Sequence, residues 1–591
     1  MTASGQPAGW RRFVPISVWL ASYEKGYLAV DLVAALTVWA LVVPEAMAYA
    51  TLAGMPPETG LYAALVAPLA YAIFGTSRQL NVGPSSTVAV MSAAVILPLA
   101  AGGDTQRFVE LTTALAILVG AFFILAGLAK LGFIADFMSK PVLDGFIVGL
   151  AMTIAAGQLA DIFGIEESGD NFFQDIAVVL TNLDEAVPAT TIIGIGSLVL
   201  LFGLGRILPK IPSALIVVFL SIIVVSVFNL AEEGVHIIGE IPAGLPTLGW
   251  PDISLGDWGD LVPGALGIVI VAFAESVAAA RTYARKYGYK VNADQEMIAL
   301  GASNAATGLF GSFTVDGSLS KTAAADQAGQ KTQMASVALS AAVFITILFL
   351  TGLFENLAEA TLAAIIIHAV WHLIDFDKIT RYINIRKDDF WAGLVAVFGV
   401  LLFDILTGLL IAVGLSFLLL LARVSRPRWN ILGRTGDEES EEVAFQGLDG
   451  HPDAETYPGL VMIRFDADLF FGNASVFADH VSSAIESAGS PTKVVLIDAE
   501  SINDIDSTAI GVVRDLSVEL EAAGIEFWFA RVKSHVEDML VRFGGPTSDH
   551  VFPTVRAAVQ AFQALPEDRE SESAESDDEA DPDDVDRDRS S

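Results

Sequence analysis

Long, uninterrupted apolar stretches constrain this chain more than any other feature. About fourteen of them, most of about 20 residues, run from 29–53 to 408–424, and about 20 apolar residues is the length that crosses a bilayer core as a helix. Such blocks show neither the alternation of a half-buried sheet nor the polar stripe of a water-soluble bundle. The expectation is a polytopic α-helical membrane protein, and a mean hydropathy of +0.57 agrees with it. The stretches 295–310, 318–328 and 358–374 are too short to cross alone as regular helices.

Loop charge tests this reading independently of hydropathy. Basic residues collect in alternate gaps, at Arg78, at Lys130 with Lys140, at Arg206 with Lys210, at Arg281 with Arg285 and Lys286, at Lys331, and at Lys378 with Arg381, Arg386 and Lys387. The other gaps hold acids and almost no Lys or Arg, with Arg107 as the exception. Positive loops stay on the cytoplasmic side, so both ends are expected there, in the plasma membrane of the cell.

About fourteen stretches divide into two sets of seven, and an odd number per half forces the second half to enter the membrane inverted. Val82-Gly83-Pro84-Ser85-Ser86-Thr87 opens the third stretch of the first half. Asp316-Gly317-Ser318-Leu319-Ser320-Lys321-Thr322 opens the third stretch of the second. A helix beginning inside the bilayer exposes unpaired N–H groups and a partial positive charge, which attract an anion. An inverted repeat would bring the two starts head to head on one cavity. The plainer alternative is that these glycines mark turns before ordinary helices.

Glu45 lies in the first stretch and Glu275 in the eighth, again equivalent places. A carboxylate at that depth must face a polar cavity, pair, or take up a proton, or else serve as a hydrogen-bonded structural acid. Pro44 is expected to kink or break its helix beside Glu45. Lys321 could complete an anion site or snorkel toward the cytoplasm. Asp31 and Asp144, near stretch ends, are expected to be structural. His368 and His372 have helical i, i+4 spacing but no third ligand, so no metal is expected. No Walker motif supports ATP-driven pumping, and the absence of cysteine excludes thiolate chemistry.

Residues 1–28 read as an interfacial, cytoplasmic entry segment, and 29–428 as the transport domain. A linker is expected at 429–455. Strand-like runs at Leu460–Phe465, Leu469–Phe471, Lys493–Asp498 and Glu526–Ala530, with helices at Thr508–Ala523 and Lys533–Phe543, then indicate a small α/β domain over 456–565. The tail 566–591, mostly Asp, Glu, Ser and Arg, is expected to be disordered. A net charge of −36 argues against a nucleic-acid partner, and a carboxylate-rich surface suits a salt-rich, halophile-like cytoplasm.

The runs PEAMAYATLAGMPPETGLYAAL, GTSRQLNVGPSSTVAV, AESVAAARTYARKYGYKVNADQEMIALGASNAATGLFGSFTVDGSLSKTA and DAESINDIDSTAIGVVRDL resemble the SulP (sulfate permease) family of anion transporters with a C-terminal STAS domain, from about residue 11 to 565. The resemblance implies a uracil-permease-like fold of two inverted seven-span repeats, split into core and gate domains and usually dimeric. It implies an anion held between the third and tenth helices, with Ser85, Ser86, Thr87, Gly317, Ser318 and Leu319 supplying backbone and hydroxyl donors and Glu45 and Glu275 lining the pocket. Many relatives carry Gln at Glu45, and a carboxylate there favours proton coupling over plain exchange. Relatives often carry Arg at Lys321, and Lys offers only a point charge to an oxyanion. Ser507 and Thr508 lie in a turn that is phosphorylated in anti-sigma-factor antagonists and serves elsewhere as a helix cap.

The function expected is secondary transport of a small inorganic anion, sulfate first, coupled to H+ or Na+, with no other cofactor and no enzymatic activity. Bicarbonate or dicarboxylate symport, an uncoupled channel or exchanger, and an anion sensor signalling through the STAS domain are the alternatives.

Overall fold

The computed structural model describes residues 13–100, 105–137, 139–165, 169, 171–207, 213–242, 244–371, 373–403, 405–436, 444–543 and 548–565. The expected acidic tail, the first 12 residues and His372 lie outside the described residues. The chain forms two compact units, Met1–Phe417 and Leu418–Ser591.

Every expected apolar stretch is a helix. The first half supplies α1 (Leu28–Leu52), α2 (Pro57–Phe74), α3 (Ser86–Ile96), α4 (Thr105–Leu128), α5 (Lys140–Phe163), α6 (Pro188–Ile207) and α7 (Ser213–Phe228). The second supplies α8 (Leu255–Tyr287), α9 (Ala293–Leu309), α10 (Leu319–Gln327), α11 (Met334–Phe349), α12 (Glu359–Trp371), α13 (Lys387–Leu402) and α14 (Ile405–Ser425). Among the described residues, 6 helical segments are long and apolar enough to cross a membrane alone. Sequence reading overestimated α3, expected over 84–102. It ends at Ile96: Leu97 keeps helical dihedrals, but Pro98 has no N–H to continue the helical bonding and its ring crowds the preceding turn, so the third helix is short, as the tenth is. In the other direction, Asn171 caps a helix at Phe172–Thr181 within a gap read as loop. That helix is too short and too acidic in context to register as an apolar block.

The helix packing carries the repeat. Helix α4 packs on α9 and α2 packs on α11; α1 meets α11 and α8 meets α4; α5 meets α13 and α12 meets α6. Each pair maps onto its partner pair when seven is added to or subtracted from the helix number. Two short strands agree with the inversion: β1 (Asn81–Gly83) and β2 (Asp316–Ser318), at equivalent places, pair antiparallel with Val82 opposite Gly317 at the centre. Helices α3 and α10 leave this ladder in opposite directions.

Close helix contacts depend on missing side chains. A Cβ on Gly120 of α4 would lie 2.5 Å from the Ala305 backbone N of α9, and one on Gly301 would lie 2.7 Å from the Gly120 carbonyl. A Cβ on Gly145 of α5 would lie 2.1 Å from the Gly393 carbonyl of α13. Gly145→Ala is therefore expected to cost about 1–3 kcal/mol through overpacking, read as a lower melting temperature of the detergent-solubilised protein, whereas Gly196→Ala, with no atom near its Cβ, leaves that temperature unchanged.

The C-terminal unit is a six-stranded sheet ordered β4 (Ala444–Gly447), β3 (Trp429–Thr435), β5 (Leu460–Phe465), β6 (Val494–Asp498), β7 (Glu526–Ala530) and β8 (Val551–Phe552). Strands β5 to β8 are parallel, and β3 runs antiparallel to both β4 and β5. Alternation along β5 sends Val461, Ile463 and Phe465 to the face covered by α15 (Ala474–Glu486), α16 (Ser507–Ala522) and α17 (Ser534–Arg542). Leu460 and Met462 face α18 (Val555–Gln563). The segment expected as a linker at 429–455 thus supplies two strands, because Trp429 and Ile431 pack on the core despite the polar residues between them. Leu469–Phe471, expected as a strand, contributes only the bridge from Leu469 to Ile505.

Candidate functional site

The antiparallel ladder of β1 and β2 is held from several sides by side chains. Asn304 of α9 accepts from the Val315 N–H at 2.9 Å and donates to the Val315 carbonyl at 2.9 Å. Gln333 donates to the carbonyls of Ser77 and Leu80, and Gln330 accepts from Asn81. The bonds to Val315, Ser77 and Leu80 satisfy backbone groups that have no helix to join, the condition for irregular chain at membrane depth.

The two helix starts differ. At α3 the N-cap Ser85 makes no side-chain cap, and its Oγ is buried without a hydrogen-bond partner. The first-turn amides of Ser86, Thr87 and Val88 therefore lack side-chain acceptors, and Ser86 and Thr87 are 7% and 3% exposed. At α10 Ser318 caps through Lys321 N–H, and the Gly317 N–H donates to Ser276 Oγ at 2.8 Å. This corrects the expectation that Gly317 offers a free donor: its amide is already used to fasten β2 to α8. Leu319, a residue 57% exposed, follows the cap, and its amide and that of Ser320 remain without a side-chain cap.

Lys321 supplies the positive charge instead. It is 3% exposed, its Nζ donates to the Pro84 carbonyl just before α3, and it lies 5.3 Å from the Tyr49 ring centroid. Snorkelling is thus excluded: the side chain spans from one helix start to the other. It is near enough to interact with both Glu45 and Asp316. Glu45 Oε2 is buried without a hydrogen-bond partner, so Glu45 is not the hydrogen-bonded structural acid of the plainer reading. Helix α1 continues through Pro44 without a break.

Glu275 of α8 lies beside Thr87 and Asp316. Asp316 is fully buried, and neither of its carboxylate oxygens has a hydrogen-bond partner. Sequence reading placed Asp316 in the motif but gave it no role. The signal was present, an acid following Phe313, Thr314 and Val315 just ahead of a helix start, where intramembrane carboxylates carry function. The two-fold relation of the ladder, centred on Val82 and Gly317, sets Asn81 of the first repeat in the place of Asp316, so the acid exists in one repeat alone.

The acids expected to be structural are so. Asp31 accepts from Lys331 N–H at 2.8 Å and Thr332 Oγ1 at 2.7 Å, closing the turn before α11. Asp144 accepts from the Tyr382 hydroxyl at 2.6 Å. Among the described residues no group of three His, Asp or Glu could hold a metal.

In the C-terminal unit Asp506 caps α16 from Ala509 N–H at 2.8 Å and also accepts from Phe471 N–H. Ser507 and Thr508 are exposed on that first turn. Asp506→Ala is expected to cost about 1 kcal/mol, measured as a shift in the unfolding midpoint. At the sheet's end Asp498 binds Arg464 and Arg531. Burial opposes charge on Arg531, but Asp498 and Glu500 hold its ionisation above the ordinary arginine range.

Comparison with known proteins covers both units. The sulfate permease family model matches residues 28–396, and the STAS domain model matches 451–558. A Mycobacterium tuberculosis protein named "probable sulfate transporter" is 38% identical over 563 residues, covering 94% of this chain and 98% of its own. A sulfate transporter of Arabidopsis thaliana, named 3.1, is 29% identical over 581 residues, 94% of this chain and 87% of its own. Murine solute carrier 26 family member A9, an anion transporter solved in the inward-facing state, superposes with a TM-score of 0.86 at 24% identity, over 95% of this chain and 96% of that one. The transmembrane domain of the cyanobacterial bicarbonate transporter BicA gives 0.58 at 23% identity, over 66% and 99%. Both structures report on the fold alone.

Proposed function

This chain belongs to the sulfate permease family and is a multi-pass membrane protein, and we propose on that footing that it is a secondary active transporter of sulfate coupled to protons or sodium. The observation that carries the reading is the uncapped start of α3, with Lys321 reaching across from α10 to the Pro84 carbonyl beside it. Backbone donors, a partial helix charge and a buried ammonium together suit a small oxyanion without selecting one by shape. The names of the relatives at 38% and 29% identity favour sulfate among the anions that fit.

Coupling follows from the acids around that point. An anion entering beside Glu45, Glu275 and Asp316 meets repulsion unless a cation or proton enters with it. Uptake of the anion and neutralisation of the acids then favour each other, and movement of the core helices α1 to α4 and α8 to α11 past the remaining helices would carry both. The reading places the protein in the plasma membrane as a homodimer in contact with lipid, both termini cytoplasmic. It assigns no enzymatic activity. Competition tests the substrate: with labelled sulfate taken up by proteoliposomes, excess unlabelled sulfate is expected to suppress uptake by about tenfold more than equal bicarbonate or succinate. Stronger suppression by bicarbonate or succinate would move the substrate to that anion.

A further inference from the structure

Asp316 is buried to the last atom, yet neither carboxylate oxygen accepts a hydrogen bond. Its neighbour explains why. Glu275 approaches it from α8, where the adjacent Ser276 accepts the Gly317 N–H at 2.8 Å, and an ionised carboxylate is an acceptor that has nothing to donate. The Ser85 hydroxyl also lies close to Asp316, but Ser85 Oγ forms no hydrogen bond. Two acceptors face each other, Asp316 fully buried and Glu275 half-buried, and one proton between them supplies the missing donor.

The surroundings carry one compensating charge. Lys321 comes from α10, while α1 contributes the Glu45 carboxylate and the uncharged Tyr49 ring at the same point. Thr87 of α3 and Ser85 before it bring hydroxyls only, and Asn304 of α9 is spent on Val315. Three carboxylates thus share a single ammonium, so the fully ionised cluster is anionic before any substrate arrives. Buried like charges at contact cannot both remain ionised, and such a pair titrates as a unit.

We propose that Asp316 and Glu275 form an acid pair that shares one proton, and that loading this proton is the step that admits the anion. The inference rests on the reading of the chain as a coupled anion transporter and deepens it: the coupling ion is the proton, and Asp316 is the residue that makes the eighth-helix glutamate a proton site. No covalent bond changes. One proton enters the pair with the anion on one side of the membrane and leaves with it on the other. The asymmetry of the repeats fits this role, since Asn81 takes the place of Asp316 in the first repeat, which therefore builds no second pair.

The test uses the full chain in proteoliposomes, as parent, Asp316→Asn and Asp316→Glu. Two assays are run on each, counterflow of labelled against unlabelled sulfate without a gradient, and accumulation under an inward proton gradient. The parent is expected to accumulate by about tenfold per pH unit of gradient for one net proton on a charge-compensated membrane. Asp316→Asn is expected to exchange slowly, with a flattened pH profile, and to accumulate nothing. Asp316→Glu is expected to recover part of the accumulation. Proton-driven accumulation and a pH profile in Asp316→Asn equal to the parent's would overturn the pair, as would parental accumulation that follows a sodium gradient and ignores a proton gradient.

Should Asp316→Asn aggregate, the parent alone decides. Adding sulfate to purified parent in weak buffer is expected to take up about one proton per bound anion, and uptake of none overturns the proposal. Absence of sulfate counterflow in the parent defeats the transport reading itself, and the pair's role with it. Intact counterflow with an unaltered Asp316→Asn defeats the pair alone.

Discussion

Sulfate uptake is expected to fall by about 100-fold or more when Lys321 is replaced by glutamine, because removing one partner from a buried charge cluster costs on the order of 3–5 kcal/mol and about 1.4 kcal/mol is tenfold. The ammonium donates to the Pro84 carbonyl and faces Glu45 and Asp316. Without it the acids lie beside the α3 start uncompensated, and an anion meets only repulsion there. Lys321→Arg retains the charge and is expected to keep measurable uptake, since guanidinium also donates to a carbonyl. Initial rates of labelled uptake, normalised to protein that elutes as a single species, measure both. Equal loss in the arginine and glutamine variants would show that the exact ammonium geometry, and not its charge, sets the rate.

Glu275→Gln is expected to turn concentrative uptake into equilibration, the second large effect. The amide keeps the size of the side chain and its place beside Thr87 but cannot change charge. Exchange persists at a reduced rate, while the ratio of internal to external sulfate falls to about one, since a carrier without a coupled ion can only equilibrate its substrate. Glu45→Gln is expected to be milder. Its neighbour is Lys321 rather than a second acid, so its loss weakens anion affinity and shifts the apparent KM more than the accumulation ratio.

Much of this site was legible in the residues. The apolar blocks fixed the helices, because length and hydropathy act through the bilayer and need no tertiary partner. The two glycine-led starts were readable because a break in an apolar run is costly in lipid and persists only where it lines something. Glu45 and Glu275 stood out for the same reason. What sequence could not supply was which polar groups spend themselves on each other. Gly317 looked like a donor until Ser276 was found accepting its N–H. Lys321 had two plausible directions, and only the fold brings Pro84 and Tyr49 to its tip. Asp316 was hidden by its place at a helix start, where an acid ordinarily reads as a capping residue. In the C-terminal unit the strand Trp429–Thr435 escaped notice because its polar residues, Asn430 and Arg434, break the apolar run that a core strand shows.

The measurement closest to the central claim is uptake of labelled sulfate into proteoliposomes under imposed inward proton and sodium gradients, each applied alone. The account predicts accumulation above the external concentration under a coupled gradient, collapsing when that gradient is dissipated by an ionophore. Flux that never exceeds the external concentration under either gradient, in protein shown to be folded, would contradict it and leave an uncoupled pathway in its place.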